Sequence, residues 1–198
     1  MATIINSNTT WTSGSVVYLT EAIEVAENAT LTIQPDVKII GNGRLSPITV
    51  HGNLIAEGTN TSKIDFDNVN IGLGQNYKHL GKINLELVNY KDGVFLESNG
   101  YGSYNISNST FENTIGFYIW YPKLDSEFIG NTFINTTGFN TLTSDANLTI
   151  KNNLFTQWQG DAIKSLADYN SGTFVLNNSF IQGESSSAAL SLGLNYDS

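Results

Sequence analysis

Four stretches decide the fold: residues 104–113 (YNISNSTFEN), 127–136 (EFIGNTFINT), 148–157 (LTIKNNLFTQ) and 174–183 (FVLNNSFIQG). They align on one apolar position, occupied by Ile106, Phe128, Ile150 and Val175. Five residues later a second position carries Phe111, Phe133, Phe155 and Phe180. Between the two lies a turn-forming pair: Asn108-Ser109, Gly130-Asn131, Asn152-Asn153 and Asn177-Asn178. Reading backwards, KIDFDNVNI and NLELVNY extend the series to Ile64 with Val69 and to Leu85 with Tyr90. The steps of the first position are then 21, 21, 22, 22 and 25 residues. A third register opens on a small residue: Gly93-Val94-Phe95-Leu96, Gly116-Phe117-Tyr118-Ile119, Gly138-Phe139-Asn140 and Ala162-Ile163-Lys164.

Three registers repeating together define a solenoid, in which no single coil buries its inner face alone. Each coil supplies short strands whose alternate side chains point inward, and stacking sets equivalent residues about 4.8 Å apart. Like residues then form ladders, Phe on Phe and Ile on Ile. An inward Asn at a corner hydrogen-bonds the turn backbone above and below it. Gly and Asn also accept the left-handed conformation that sharp corners require. No sustained helical periodicity is present, and β-branched and aromatic residues dominate. The expected fold is all-β, a right-handed parallel β-helix with coils of roughly 22 residues.

The segments NISNSTFENTIGFYI and LTIKNNLFTQWQGDAIKS resemble the parallel β-helix repeat of the pectate-lyase-like superfamily. WTSGSVVYLTEAIEVAENATLTIQPDVKII and ITVHGNLIAEGT are similar to the opening of bacterial right-handed β-helix proteins, with a capping segment before the first coils. The likeness implies an amino-terminal cap over residues 1–30, with Trp11 covering the first coil, and coils over 31–198. AALSLGLNYDS reads as an unfinished coil, so either the chain is expected to continue or another molecule to pack end to end upon it. The superfamily includes lyases, hydrolases, adhesins and inert spacers, so the resemblance leaves function open.

Composition narrows the classes. The 198 residues suffice for one domain with a sizeable core. A formal charge of −9, with Arg44 the single arginine, disfavours nucleic acid and anionic membranes as partners. There is no cysteine, hence neither a disulfide nor a thiolate metal site, and no apolar run approaches a membrane span. Met1-Ala2-Thr3 leads straight into strand-like sequence, which implies a removed leader or a piece of a longer chain. The resemblance implies a bacterial extracellular or cell-surface setting.

Two candidate sites emerge. Asp65 and Asp67 stand two apart on a strand between inward Ile64 and Phe66, so both carboxylates face solvent. With Glu86 one coil on, they are the expected Ca2+ ligands if the chain binds calcium, and a solvated acidic face otherwise. Superfamily lyases use such calcium beside an Arg or Lys base, for which Lys63 and Lys82 are nearer than Arg44. His51 and His79 are lone, the hydrolase signatures are absent, and no catalytic residue is assigned. Asp161 in QGDAIK reads as a corner carboxylate capping turn amides while Ile163 enters the core.

The second site is aromatic. With Val94, Leu96, Phe117 and Ile119 inward, Phe95, Tyr118 and Trp120 face outward on adjacent coils. Tyr121 lies beside them, with Tyr101 and Tyr104 in the intervening loop and Glu97 and Lys164 on the same face. Exposed rings are platforms for the apolar faces of sugars. The leading expectation is a non-catalytic extracellular module that binds a polysaccharide or surface glycan, or that spaces other domains. The alternative is a calcium-dependent polysaccharide lyase, which needs carboxylates and a base converging on one groove.

Overall fold

A computed structural model of the chain describes residues 2–45, 47–74, 80–95, 98–99, 102–143, 145–167, 171–183 and 188–194. They form an all-β parallel solenoid of about seven turns, with about 23 residues per turn. Two faces are continuous eight-stranded parallel sheets. The first face runs from Thr9–Trp11 to Thr173–Leu176, and the second from Val16–Tyr18 to Ser179–Ile181. The third is divided between two five-stranded sheets, one ending at Val94–Phe95 and the other beginning at Ser98–Asn99. Among the described residues the one helical element is a 3-10 turn at Gly43–Leu45.

The ladders that define the repeat are present as read. On the first face Ile106, Phe128, Ile150 and Val175 stack in register. On the second, Phe111, Phe133, Phe155 and Phe180 do the same, with ring centroids 5.2, 4.8 and 5.2 Å apart and planes within 14°. Each stacked pair adds about 0.5–1.5 kcal/mol to simple burial. Residues expected to form a cap are built as coils: Thr3–Ile5, Thr9–Trp11 and Val16–Tyr18 pair in parallel with the next coil's strands. Trp11 packs half-buried against the core.

The corner between the first two faces explains the Asn-rich pairs. Asn108, Gly130, Asn152 and Asn177 take positive φ values of 51–70°. The residue that follows turns inward and bonds along the axis. The backbone N–H of Asn131 donates to Asn153 Oδ1 at 2.8 Å, and that of Asn153 to Asn178 Oδ1 at 2.9 Å. The side-chain amides of Asn131, Asn153 and Asn178 donate to the carbonyls of Ile106, Phe128 and Ile150 at 2.8–2.9 Å. Backbone groups that the corner would strand away from water are thus paired.

A second left-handed column, not anticipated from sequence, closes the far end of the second face at Asn68, Asp92, Asn113, Asn135 and Gln157. Its side chains link outside the barrel: Asn113 Nδ2 donates to Asp92 Oδ1 at 3.0 Å, and Asn135 Nδ2 to Asn113 Oδ1 at 2.8 Å.

The earliest part of the repeat needs correcting. Ala56, not Ile64, lies in register beneath Leu85, and Phe66, not Val69, beneath Tyr90. The cause is a longer corner between Asn53–Glu57 and Ile64–Asp67, closed by reciprocal backbone hydrogen bonds between Thr59 and Ser62. It inserts residues where later coils turn at once.

Tyr90 is the polar exception in the second-face ladder. It is buried, and its hydroxyl donates to the carbonyl of Val69 and, at 3.2 Å, to that of Val94. Burial raises the phenol far above its ordinary value, with the Ile71 backbone contact opposing weakly. Above pH ~10 the unfolded chain releases this proton while the folded one retains it, so the unfolded state binds fewer protons and stability falls with rising pH. The expected slope from this group is about 1.4 kcal/mol per pH unit. Denaturant titrations of the wild type and Tyr90→Phe over that range check it: equal alkaline slopes would remove Tyr90 as the cause.

Candidate functional site

Two of the rings expected to face outward do so. Tyr118 and Trp120 project from the strand Tyr118–Trp120, while Ile119 between them is buried. Tyr118 is 41 % exposed, and its ring meets Trp120 edge to face at 6.0 Å and 70°. The register continues each position along the axis. Tyr118 is followed by Asn140 and Lys164, and Trp120 by Leu142 and Leu166. A polar column headed by a tyrosine thus runs beside an apolar column headed by a tryptophan. Asp161 and Gln159 border the same shallow depression. Asp161 Oδ1 accepts a hydrogen bond from the backbone N–H of Ala188 at 3.0 Å, while Ile163 is buried, which is the capping role read from the sequence.

Phe95 does not belong to this surface. It is 3 % exposed and stacks on Phe117 at 5.3 Å, inside the barrel, with Tyr90 at 5.2 Å. The error lies in equating Gly93 with Gly116. Val94 bridges to Ile115, and Gly116 adopts φ 88°, so inward and outward positions counted from the two glycines do not correspond. Tyr104 is likewise a core residue, in the strand Ser103–Ser107 rather than a loop. Tyr121 sits half-buried at the corner after Trp120, with φ 52°. Leu96, Glu97 and Tyr101 lie outside the described residues.

Asp65 and Asp67 face outward between buried Ile64 and Phe66, as the alternation requires. Their neighbours differ from expectation, because the long corner places them on the second face while Glu86 stands on the first, in register with Glu57. Asp65 is flanked along the axis by Lys38 and Asn89, and Asp67 by Ile40 and Lys91. Asn89 Nδ2 donates to Asp65 Oδ1 at 2.8 Å, Lys63 Nζ reaches Asn89 Oδ1 at 3.5 Å, and Lys91 pairs with Asp67 at 3.5 Å. The next coil adds Glu112, so charge alternates Asp67, Lys91, Glu112 up the wall. Among the described residues no three His, Cys, Asp or Glu side chains gather to hold a metal ion.

The remaining candidates are dispersed. Lys82 stands on the first face, away from Asp65. Arg44 falls in the 3-10 turn. His51 Nε2 lies 3.6 Å from Glu24 Oε1, on the third face. His79 lies outside the described residues. No family model matches the chain, and no curated protein matches it.

Proposed function

We propose that the chain is a non-catalytic β-helix module, related to the pectate-lyase-like superfamily, that binds carbohydrate on its third face in a secreted or cell-surface protein. The observation that carries this reading is the edge-to-face pair of exposed Tyr118 and half-buried Trp120, with Asn140 and Lys164 continuing the Tyr118 position. Aromatic faces take up the C–H face of a pyranose, and the neighbouring amide and ammonium meet its hydroxyls or carboxylate. Side chains two apart on a strand present two ring positions to one glycan, and the flat strand keeps them pre-organised.

The test is binding to a panel of neutral and acidic polysaccharides by calorimetry, comparing wild type with Tyr118→Ala and Trp120→Ala. Each substitution removes an outward ring, so the fold stands and affinity drops roughly tenfold, about 1.4 kcal/mol. Unchanged affinity in both variants excludes this face.

A second reading, a calcium-dependent lyase acting on uronates, is favoured by one observation: the approach of Lys63 to Asn89 and hence to Asp65. It requires a cation to displace Lys91 from Asp67 and a lysine to act as base. New chain ends appearing only with added calcium would establish it in place of the binding reading.

A further inference from the structure

We propose that Lys63 and Asn89 join in an intramolecular isopeptide bond, formed with the help of Asp65, that covalently ties two neighbouring coils of the second face. The sheet brings the three side chains together. Asn89 lies directly opposite Asp65 on the adjoining strand, and Lys63 precedes Asp65 by two residues at the strand's entrance. Side chains two apart share a face, and the long lysine stem spans the diagonal to the next strand. Lys63 Nζ stands 3.5 Å from Asn89 Oδ1, while Asn89 Nδ2 donates to Asp65 Oδ1 at 2.8 Å. These contacts fix which way the amide faces, because an ammonium only donates and a carboxylate only accepts. All three residues are half-buried. Asn108 and Asn113 also hold a carboxylate through Nδ2, that of Glu86 and that of Asp92, but among the described residues no lysine donates to either. Lys91, which shares a strand with Asn89, is turned to Asp67 at 3.5 Å.

The arrangement supplies a nucleophile, an acyl carbon and a proton carrier on the leaving group. The neutral amine of Lys63 attacks Asn89 Cγ, the carbon bonded to the oxygen it already approaches, and its electron pair becomes the new C–N bond. Asp65 takes the proton that the amine sheds and passes it to Nδ2. The Cγ–Nδ2 bond then breaks, its electrons leave with the nitrogen, and ammonia departs. One amine and one carboxamide become one secondary amide and one ammonia, with no oxidant, reductant or cofactor. Because the fold holds the partners in contact, the step is unimolecular, and the loss of ammonia makes a slow rate sufficient. The bond closes residues 63–89 into a covalent loop that cannot be drawn out of the stack under tension. A linked Lys63 retains no amine to serve as a base, so the bond and the lyase reading exclude each other.

Mass spectrometry of the full chain tests this directly. The wild type is expected to be lighter by one ammonia than its sequence requires. Trypsin, which cuts after free lysine, is expected to leave Lys63 uncut in a branched peptide joined through Asn89 to residues 83–91. Lys63→Arg, Asn89→Ala and Asp65→Ala are each expected to keep the full sequence mass and to yield no branched peptide. Circular dichroism confirms that the variants fold, and the wild-type spectrum decides the question should one of them fail. A wild type of full mass, cut normally after Lys63, would overturn the proposal. So would a loss of ammonia without a branched peptide, which marks a succinimide formed within a single asparagine. A branched peptide that forms undiminished in Asp65→Ala would overturn it too, since the proton then travels without that carboxylate.

Discussion

Replacing Asn153 with alanine is expected to cost about 4 kcal/mol of folding stability, more than an average core substitution. Its side chain takes the Asn131 N–H at 2.8 Å and gives to the Phe128 carbonyl at 2.9 Å, both in the preceding coil, and gives to Asn178 Oδ1 in the next coil at 3.0 Å. Alanine strands at least two buried backbone groups, each at about 1–3 kcal/mol. Leucine, of similar volume, strands the same groups and is expected to do no better. Serine is the informative middle case, because Ser109 holds the equivalent place one coil before Asn131, where its hydroxyl accepts from the Val88 N–H and donates to the Ser107 carbonyl. Urea unfolding of the three variants orders them as serine, then alanine and leucine together. An alanine cost under about 1 kcal/mol means that water replaces the amide and the ladder is dispensable.

Phe133→Ala is expected to cost about 4 kcal/mol by a different route. The ring is buried, stacked between Phe111 and Phe155, and met on its edges by Phe117 and Phe139 at 5.3 and 5.2 Å. Removing it opens a cavity that four aromatic neighbours, held by their own ladders, cannot collapse to fill. Phe133→Leu refills most of the volume and is expected to cost about 1.5 kcal/mol. Coils contact chiefly their neighbours, so the loss of amide protection should concentrate in residues 104–113 and 148–157. Hydrogen exchange distinguishes this from a uniform loss along the chain, which would show a single cooperative unit.

Sequence periodicity captured the part of the fold in which coils have constant length. From Leu85 onward the inner positions of the first two faces recur at nearly equal steps, and each is where the pattern places it. Asn131 and Asn153 were legible for the same reason. Reading failed where spacing ceases to measure position. The corner at residues 58–63 lengthened one coil and carried Ile64 onto a different face, which separated Asp65 from Glu86. Gly116, at positive φ, broke the alternation by which Phe95 had been placed outside. Tyr118 and Trp120 were found because their strand keeps strict alternation around buried Ile119. Asn140, which completes their column, carried no signal of its own and became visible only through its pairing with Tyr118.

Constant coil length has a mechanical counterpart. Hydrogen bonds between coils run parallel to the solenoid axis, so tension applied through the two termini peels strands from the ends instead of shearing whole sheets. Freeing one coil of 22 residues, the separation of Asn131 from Asn153, pays out about 75 Å of extended chain. A force–extension trace should therefore show evenly spaced ruptures of that length. In a chain whose Lys63 stays unlinked, the long corner at 58–63 should give the widest step, and the 25-residue coil between Asn153 and Asn178 a smaller excess, a physical ruler of the same repeat that the amino acids spell.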